Sequence, residues 1–242
     1  MLDRDRLTSS AAAFGRQASS AFDKALKALI ALGFRYSRAG ADFLWDMDPD
    51  LRDEAMSICR DLSDSLAEKA MSIARGVVED ALTDYDFDEA WEWAGDEDGT
   101  PLLTRFDQAG SHLLDLLEIW LALAFVNKVS AGELRVLVSR YLRNPFAAPL
   151  WRGLPKDILK WGRGYSKDIL AQIRLIGQDA IVRAARYAEW QDERAHGAEY
   201  YIRRRGSGYD CPDCDSLCGY PIPIETPFEW LHARCMCWPE YH

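Results

Sequence analysis

The chain has no long apolar run. Its most hydrophobic stretch, Leu113 to Val126, carries Asp115 and Glu118. That is too short and too charged to span a bilayer, so it reads as a buried helix of a soluble protein. The opening segment, Met1 to Phe14, includes Asp3 and Asp5 and lacks an apolar core, so no secretory leader is expected. Histidine is scarce, at four residues. No H-E-x-x-H helix, phosphate-binding loop, dinucleotide fingerprint or nucleophile elbow occurs, which removes the common hydrolase, nucleotide and oxidoreductase signatures. Cysteine is almost missing from the body of the chain: Cys59 stands alone, and the other five of six fall between Cys211 and Cys237. A secreted disulfide scaffold spreads its cysteines. One tight cluster behind a long cysteine-poor body points instead to metal binding in a reducing compartment.

What is present suits a sizeable core. Of 242 residues, 48% are hydrophobic and 28% charged, a globular balance with room for one large domain or a body with an appendage. The net charge of −10 is unevenly placed. Residues 1–126 carry 12 basic and 25 acidic side chains, residues 127–205 carry 16 and 8, and residues 206–242 carry one and six. The acidic first part disfavours nonspecific contact with nucleic acid. The basic middle suits DNA, an acidic protein surface or simply solvated helix faces, and charge alone leaves these open.

Helical period dominates the first two-thirds. Phe22, Leu26, Leu29 and Gly33 follow a 3–4 spacing. Asp48 then Pro49 is an N-cap followed by a first-turn proline. Behind it Leu51, Ala55, Ile58, Leu62, Leu66, Ala70, Ile73, Val77 and Ala81 make one apolar stripe of about eight turns, extending the predicted helix to about Leu82. Asp84, Asp86 and Asp88 resemble the opening of a calcium loop, but Glu89 stands where its glycine is required. Pro101 opens a further helix to about Lys128, and Ser130–Arg143 reads as another, stopped by Asn144-Pro145. A Pro-, Gly- and Trp-rich connector follows. Ser166 caps a last long helix to about Ala195, with Ile169, Ile173, Ile176, Ala180, Ala184 and Tyr187 as its stripe. Tyr200, Tyr201 and Ile202 read as a short strand, after which helical period does not return. The expected architecture is mainly α: elongated helical hairpins or a bundle, with a small C-terminal β-containing zinc knuckle. Its parts are a helical body (1–143), a connector (144–165), a long basic helix (166–197) and a Cys/His-rich module (198–242).

Cys211 and Cys214 form a C-x-x-C pair whose sulfurs a tight turn can aim at one tetrahedral zinc, and His232, Cys235 and Cys237 offer further ligands after an intervening loop. The expected metal residues are therefore Cys211 and Cys214 with two of His232, Cys235 and Cys237, and Cys218 is an additional candidate. Zn2+ would stabilise so small a segment directly. Disulfides, or reduced cysteines packed as small apolar groups, are the alternatives. A deaminase pattern fails, because Glu199 stands three positions after His196 and Asp210 precedes Cys211. His112 and His196 read as structural.

The run Cys211, Pro212, Cys214, Leu217, Gly219, then His232, Cys235, Cys237 and Pro239, behind a helix and a strand, resembles the C-terminal signature of the Mu F-like phage minor head proteins. The resemblance covers the chain from the last long helix onward. Ala233 and Met236 depart from the family's usual Pro and Arg, and Cys218 stands where Asp is common. The resemblance implies a non-enzymatic structural protein of a phage or prophage head. Its expected location is the virion, at the capsid interior or portal region, after assembly in the host cytoplasm. Portal and capsid proteins are the implied partners, with several copies per particle. A basic region that faces packaged DNA would use Lys156, Lys160, Arg163, Lys167, Arg174, Arg183, Arg186, Arg203, Arg204 and Arg205 through salt-dependent phosphate contacts. A metal-dependent nuclease or toxin-like enzyme, and a zinc-ribbon nucleic-acid adaptor, are the competing readings.

Overall fold

A computed structural model describes residues 2–38, 49–95, 100–126, 128–136, 169–206, 211–228 and 237–242. The predicted connector, the Ser166 cap, the end of the Ser130–Arg143 helix, and Lys156, Lys160, Arg163, Lys167, His232 and Cys235 lie outside them. The described chain is mainly helical. Its helices are α1 (Arg4–Arg38), α2 (Pro49–Val78), α3 (Phe87–Gly95), α4 (Leu102–Val126), α5 (131–136), α6 (Ile169–Ala195) and α7 (Pro212–Leu217). Three short strands, β1 (Tyr200–Arg204), β2 (Pro221–Pro223) and β3 (Trp238–Tyr241), form an antiparallel sheet in the order β2-β1-β3. Among the described residues no helix is long and apolar enough to cross a membrane.

Contacts divide the chain into two compact units. One comprises Met1–Phe14, Lys69–Leu102 and Gly177–His242, the other Gly15–Glu68 and Leu103–Ile176. The boundaries fall within α1, α2 and α6, so the grouping does not follow the linear order of body, connector, helix and module. The cysteine-rich tail shares its unit with the start of α1, the end of α2, and α3.

In the second unit the apolar faces of α1, α2 and α4 close over Ala18, Phe22, Leu26, Leu29, Ala55, Leu62, Leu66, Phe106, Leu113 and Leu117. The buried line of α2 differs slightly from the predicted stripe. Cys59 and Ala74 are buried while Ile58 and Ile73 are only half-buried, and Ala81 is exposed beyond the helix end. Its steps are of four positions except for a step of three after Cys59 and another after Ala74, which together stay close to the helical period and keep one face in line. Cys59 fits there because it is small: a Cβ on Gly110 would stand 3.2 Å from the Cys59 Cβ, so the two backbones approach closely. The Cys59 thiol lies 3.6 Å from the Gly110 carbonyl as a hydrogen-bond donor. Burial, then the charge of Asp107, pushes it up to about 12, leaving it an inert thiol. Ser130 and Glu133 form a capping box at the start of α5. The Glu133 carboxylate accepts from the Ser130 N–H (2.9 Å) and hydroxyl (2.7 Å), and the Ser130 Oγ accepts from the Glu133 N–H at 3.3 Å.

In the first unit α6 is buried on almost every side. Ala180, Ile181, Ala184, Ala185 and Ala188 are fully covered, and the charged Asp179, Arg183, Arg186, Glu189 and Asp192 are buried too. Gly177 makes room for the Phe14 ring, since a Cβ there would stand 2.1 Å from it. Asp86 starts α3, its Oδ1 accepting the N–H groups of Asp88 and Glu89 at 3.0 Å each. Asp88 pairs with Arg75 at 2.7 Å, so these acids of the calcium-like run are engaged in capping and an ion pair.

Candidate metal centre in the cysteine tail

The tail is organised by β1, whose alternate residues Tyr201 and Arg203 point inward and are 1% and 2% exposed. Tyr201 packs on Phe228 and Tyr241, and the Arg203 guanidinium lies 4.1 Å from the centre of the Phe228 ring. The Trp190 indole of α6 donates to the Ile224 carbonyl at 2.7 Å. At the strand end, Glu199 and His242 are tied backbone to backbone at 2.7 Å. β1 thus holds both neighbouring strands, and each carries a cysteine segment beside it.

The C-x-x-C is not the tight non-helical turn that the sequence suggested: it opens a helix. Cys211 is the N-cap of α7, Pro212 its first residue, and Asp213 and Asp215 fill its first turn. Cys214 is buried and Cys211 half-buried. Cys218 ends α7, its N–H bonded to the Cys214 carbonyl at 2.9 Å, and Gly219 then turns with φ +87. Only a residue without a Cβ takes that conformation cheaply. Cys237, also buried, sits immediately before β3.

Three of these thiols share one electrostatic neighbourhood. Cys218 is within hydrogen-bonding reach of Cys237, and burial followed by Cys237 pushes its thiol up to about 11 against the opposing pull of Arg203 and Arg205. Arg205 interacts with Cys214 and Cys237 and pairs with Asp215. None of Cys59, Cys211, Cys214, Cys218 and Cys237 is in a disulfide. Soft thiolate donors suit zinc. Two thiolates bonded to one tetrahedral zinc at about 2.3 Å stand about 3.8 Å apart. No three described sulfurs come within 4.8 Å of one another. The described residues therefore supply a pair with Cys211 and Cys214 nearby, and His232 and Cys235 lie outside them. Because thiols bind a metal as thiolates, metal binding would release protons.

A second grouping escaped the sequence reading. Asp84, Asp192 and His196 bring their ligand atoms within 4.8 Å of one another. Asp192, at the C-terminal end of α6, accepts from the backbone N–H groups of Thr83 and Asp84 at 2.9 Å each. His196 Nδ1 lies 2.7 Å from the Asp192 carbonyl, and its Nε2 lies 3.4 Å from Asp84 Oδ2. The i,i+4 spacing of Asp192 and His196 was a usable signal, but Asp84 lies 108 residues away. The group could hold a divalent cation. Its visible work is to stitch the turn after α2 to the end of α6.

The predicted DNA-facing arginines are mostly turned to internal partners. Arg183, Arg186 and Arg203 are buried. Arg174 donates to Ser19 at 2.5 Å, Arg186 to Glu189 at 2.5 Å, Arg204 pairs with Glu240, and Arg205 with Asp215. Arg183 lies 5.2 Å from the Trp93 ring, which stacks on Tyr187. No family model, no curated protein and no solved structure matches the chain.

Proposed function

We propose that the chain is a non-enzymatic minor head protein of a phage or prophage, whose C-terminal module is held by zinc and whose helices contact portal or capsid proteins. The observation that supports this reading is the order in which the tail is built. A long helix (α6) leads to β1, Cys211 and Cys214 open α7, a proline-bounded strand follows, and Cys237 leads into β3. That order matches the motif that carries the family resemblance. Any contact with packaged DNA falls chiefly to Lys156, Lys160, Arg163 and Lys167, because the arginines of α6 and β1 serve the unit's own packing.

Quantitative mass spectrometry of purified heads should find the chain at low copy, and cryo-electron microscopy should place it at the portal or the inner shell. Its absence from particles, with the protein recovered only from the host's soluble fraction, would remove the reading. A divalent-metal-dependent nuclease activity abolished by His232→Ala would select the enzymatic alternative instead.

A further inference from the structure

We propose that Cys218, together with Cys237, is a direct ligand of the metal in the tail. This rests on the zinc-held module proposed above and assigns a residue at the position where the resembled family commonly has Asp. The two cysteines are brought together by the backbone, through consecutive residues of one strand. The Gly219 N–H donates to the Arg203 carbonyl at 3.0 Å, which fixes the residue after Cys218 against β1. The next residue of β1, Arg204, pairs with Trp238, the residue after Cys237. The last turn of α7 fixes Cys218 from its other side through the Cys214 carbonyl. Each thiol is therefore anchored within one residue of the same point on β1, and their side chains meet at hydrogen-bonding distance.

Two sulfurs brought within hydrogen-bonding reach by a paired strand form a pre-organised half of a tetrahedral site. Cys211 and Cys214 stand on the same short helix as Cys218, one at its N-cap and one within it. Arg203 and Arg205 flank the thiols, so some of the thiolate charge left over after binding a dication is balanced locally.

The test uses the full-length wild-type chain and Cys218→Ser, each titrated with Co2+ and then Zn2+. Wild type should bind cobalt with a sulfur-to-metal charge-transfer band. Cys218→Ser should lose part of that band per bound ion, and its zinc affinity should fall by about tenfold or more. Alkylation mapped by mass spectrometry on the wild type gives the same answer without a substitution: zinc should slow modification of Cys218 and Cys237 together, whereas Cys59 is slow with or without zinc. If wild type binds the metal but Cys218 alkylates equally fast with and without it, and the variant keeps the full band, the assignment of Cys218 is overturned while the metal centre stands. If wild type binds neither ion, the zinc-held module fails, and the ligand assignment fails with it.

Discussion

Two helices of this protein bury their inward residues by opposite chemistry. Around Cys59, α2 is covered by small and apolar groups, and the close approach at Gly110 needs little beyond the removal of side-chain volume. Around Arg186, α6 is covered while still carrying charge. Arg186 donates to Glu189 Oε2 at 2.5 Å, and Glu189 Oε1 accepts the Leu2 N–H at 2.7 Å. An apolar contact fades gradually when it is trimmed. A buried charge loses its compensation at once when its partner goes. The largest effect of any single change discussed here is therefore expected at Glu189, which is 1% exposed. Glu189→Ala should cost about 3–5 kcal/mol in denaturant unfolding, because it strands Arg186 and leaves the Leu2 N–H without its acceptor. The double change Arg186→Met with Glu189→Leu should recover most of that loss. A single variant as stable as wild type would break the contrast between the two helices.

Glycines sharpen the same comparison at smaller amplitude. Alanine at Gly177 would put a Cβ 2.1 Å from the fully buried Phe14 ring, at Gly110 3.2 Å from the Cys59 Cβ, and at Gly76 within 4 Å of nothing. Alanine gains up to about 1 kcal/mol over glycine inside a helix. Overpacking costs about 1–3 kcal/mol. Gly177→Ala should thus be net destabilising, Gly110→Ala close to neutral, and Gly76→Ala stabilising by about 0.5–1 kcal/mol. In a thermal scan each kcal/mol corresponds to about 2–4 °C at this chain length. Equal shifts at the three sites would mean that propensity, not packing, sets them.

The sequence carried position better than partnership. The α2 and α6 stripes were legible because apolar residues recur near the helical period, and Pro49 and Pro101 marked the starts of α2 and α4 closely. Phase was blurrier: steps of three and four leave Ile58 and Cys59, or Ile73 and Ala74, nearly equivalent until packing selects the smaller one. The arginines of α6 were read as solvated or DNA-facing because charge beside an apolar stripe usually meets solvent. Their covering comes from far along the chain, Glu189 meeting Leu2 across 187 residues. In the tail, the cysteine spacing announced a donor cluster, and the strand at Tyr200 was readable. The helix α7 was not, because so short a segment has no period to detect. Spacing offered Cys218 as one more candidate, and its nearness to Cys237 rests on Gly219 and Trp238 pairing with consecutive residues of β1.

The smallest effect belongs to the network at the end of α6, whose outer members are exposed. The hydrogen bond to the Asp192 carbonyl, and the charges of Asp192, Asp84 and Glu193, hold His196 above its ordinary 6.5 despite some loss of solvent. Burial alone would raise Asp192, but the backbone donors of Asp84 and Thr83, with His196, bring it below its ordinary 3.8. The two shifts act at opposite ends of the pH scale. The His196 contribution is fully present below 6.5 and is lost as pH rises through its raised folded value. The Asp192 contribution is present above 3.8 and is lost as pH falls through its lowered one. The stitch should be strongest at about pH 5, between these limits. Because the side chains of His196 and Asp84 are 56% and 59% exposed, solvent and salt screen the charge term, and the Tm difference between wild type and His196→Gln should be modest. That difference should shrink above neutral pH and in high salt. Asp192→Asn should show the complementary behaviour, converging on wild type only in acid. A gap between wild type and His196→Gln that stays constant from acid to alkaline pH would mean that the imidazole acts by packing alone, and that the end of α6 is held by the Asp192 backbone bonds without its charge.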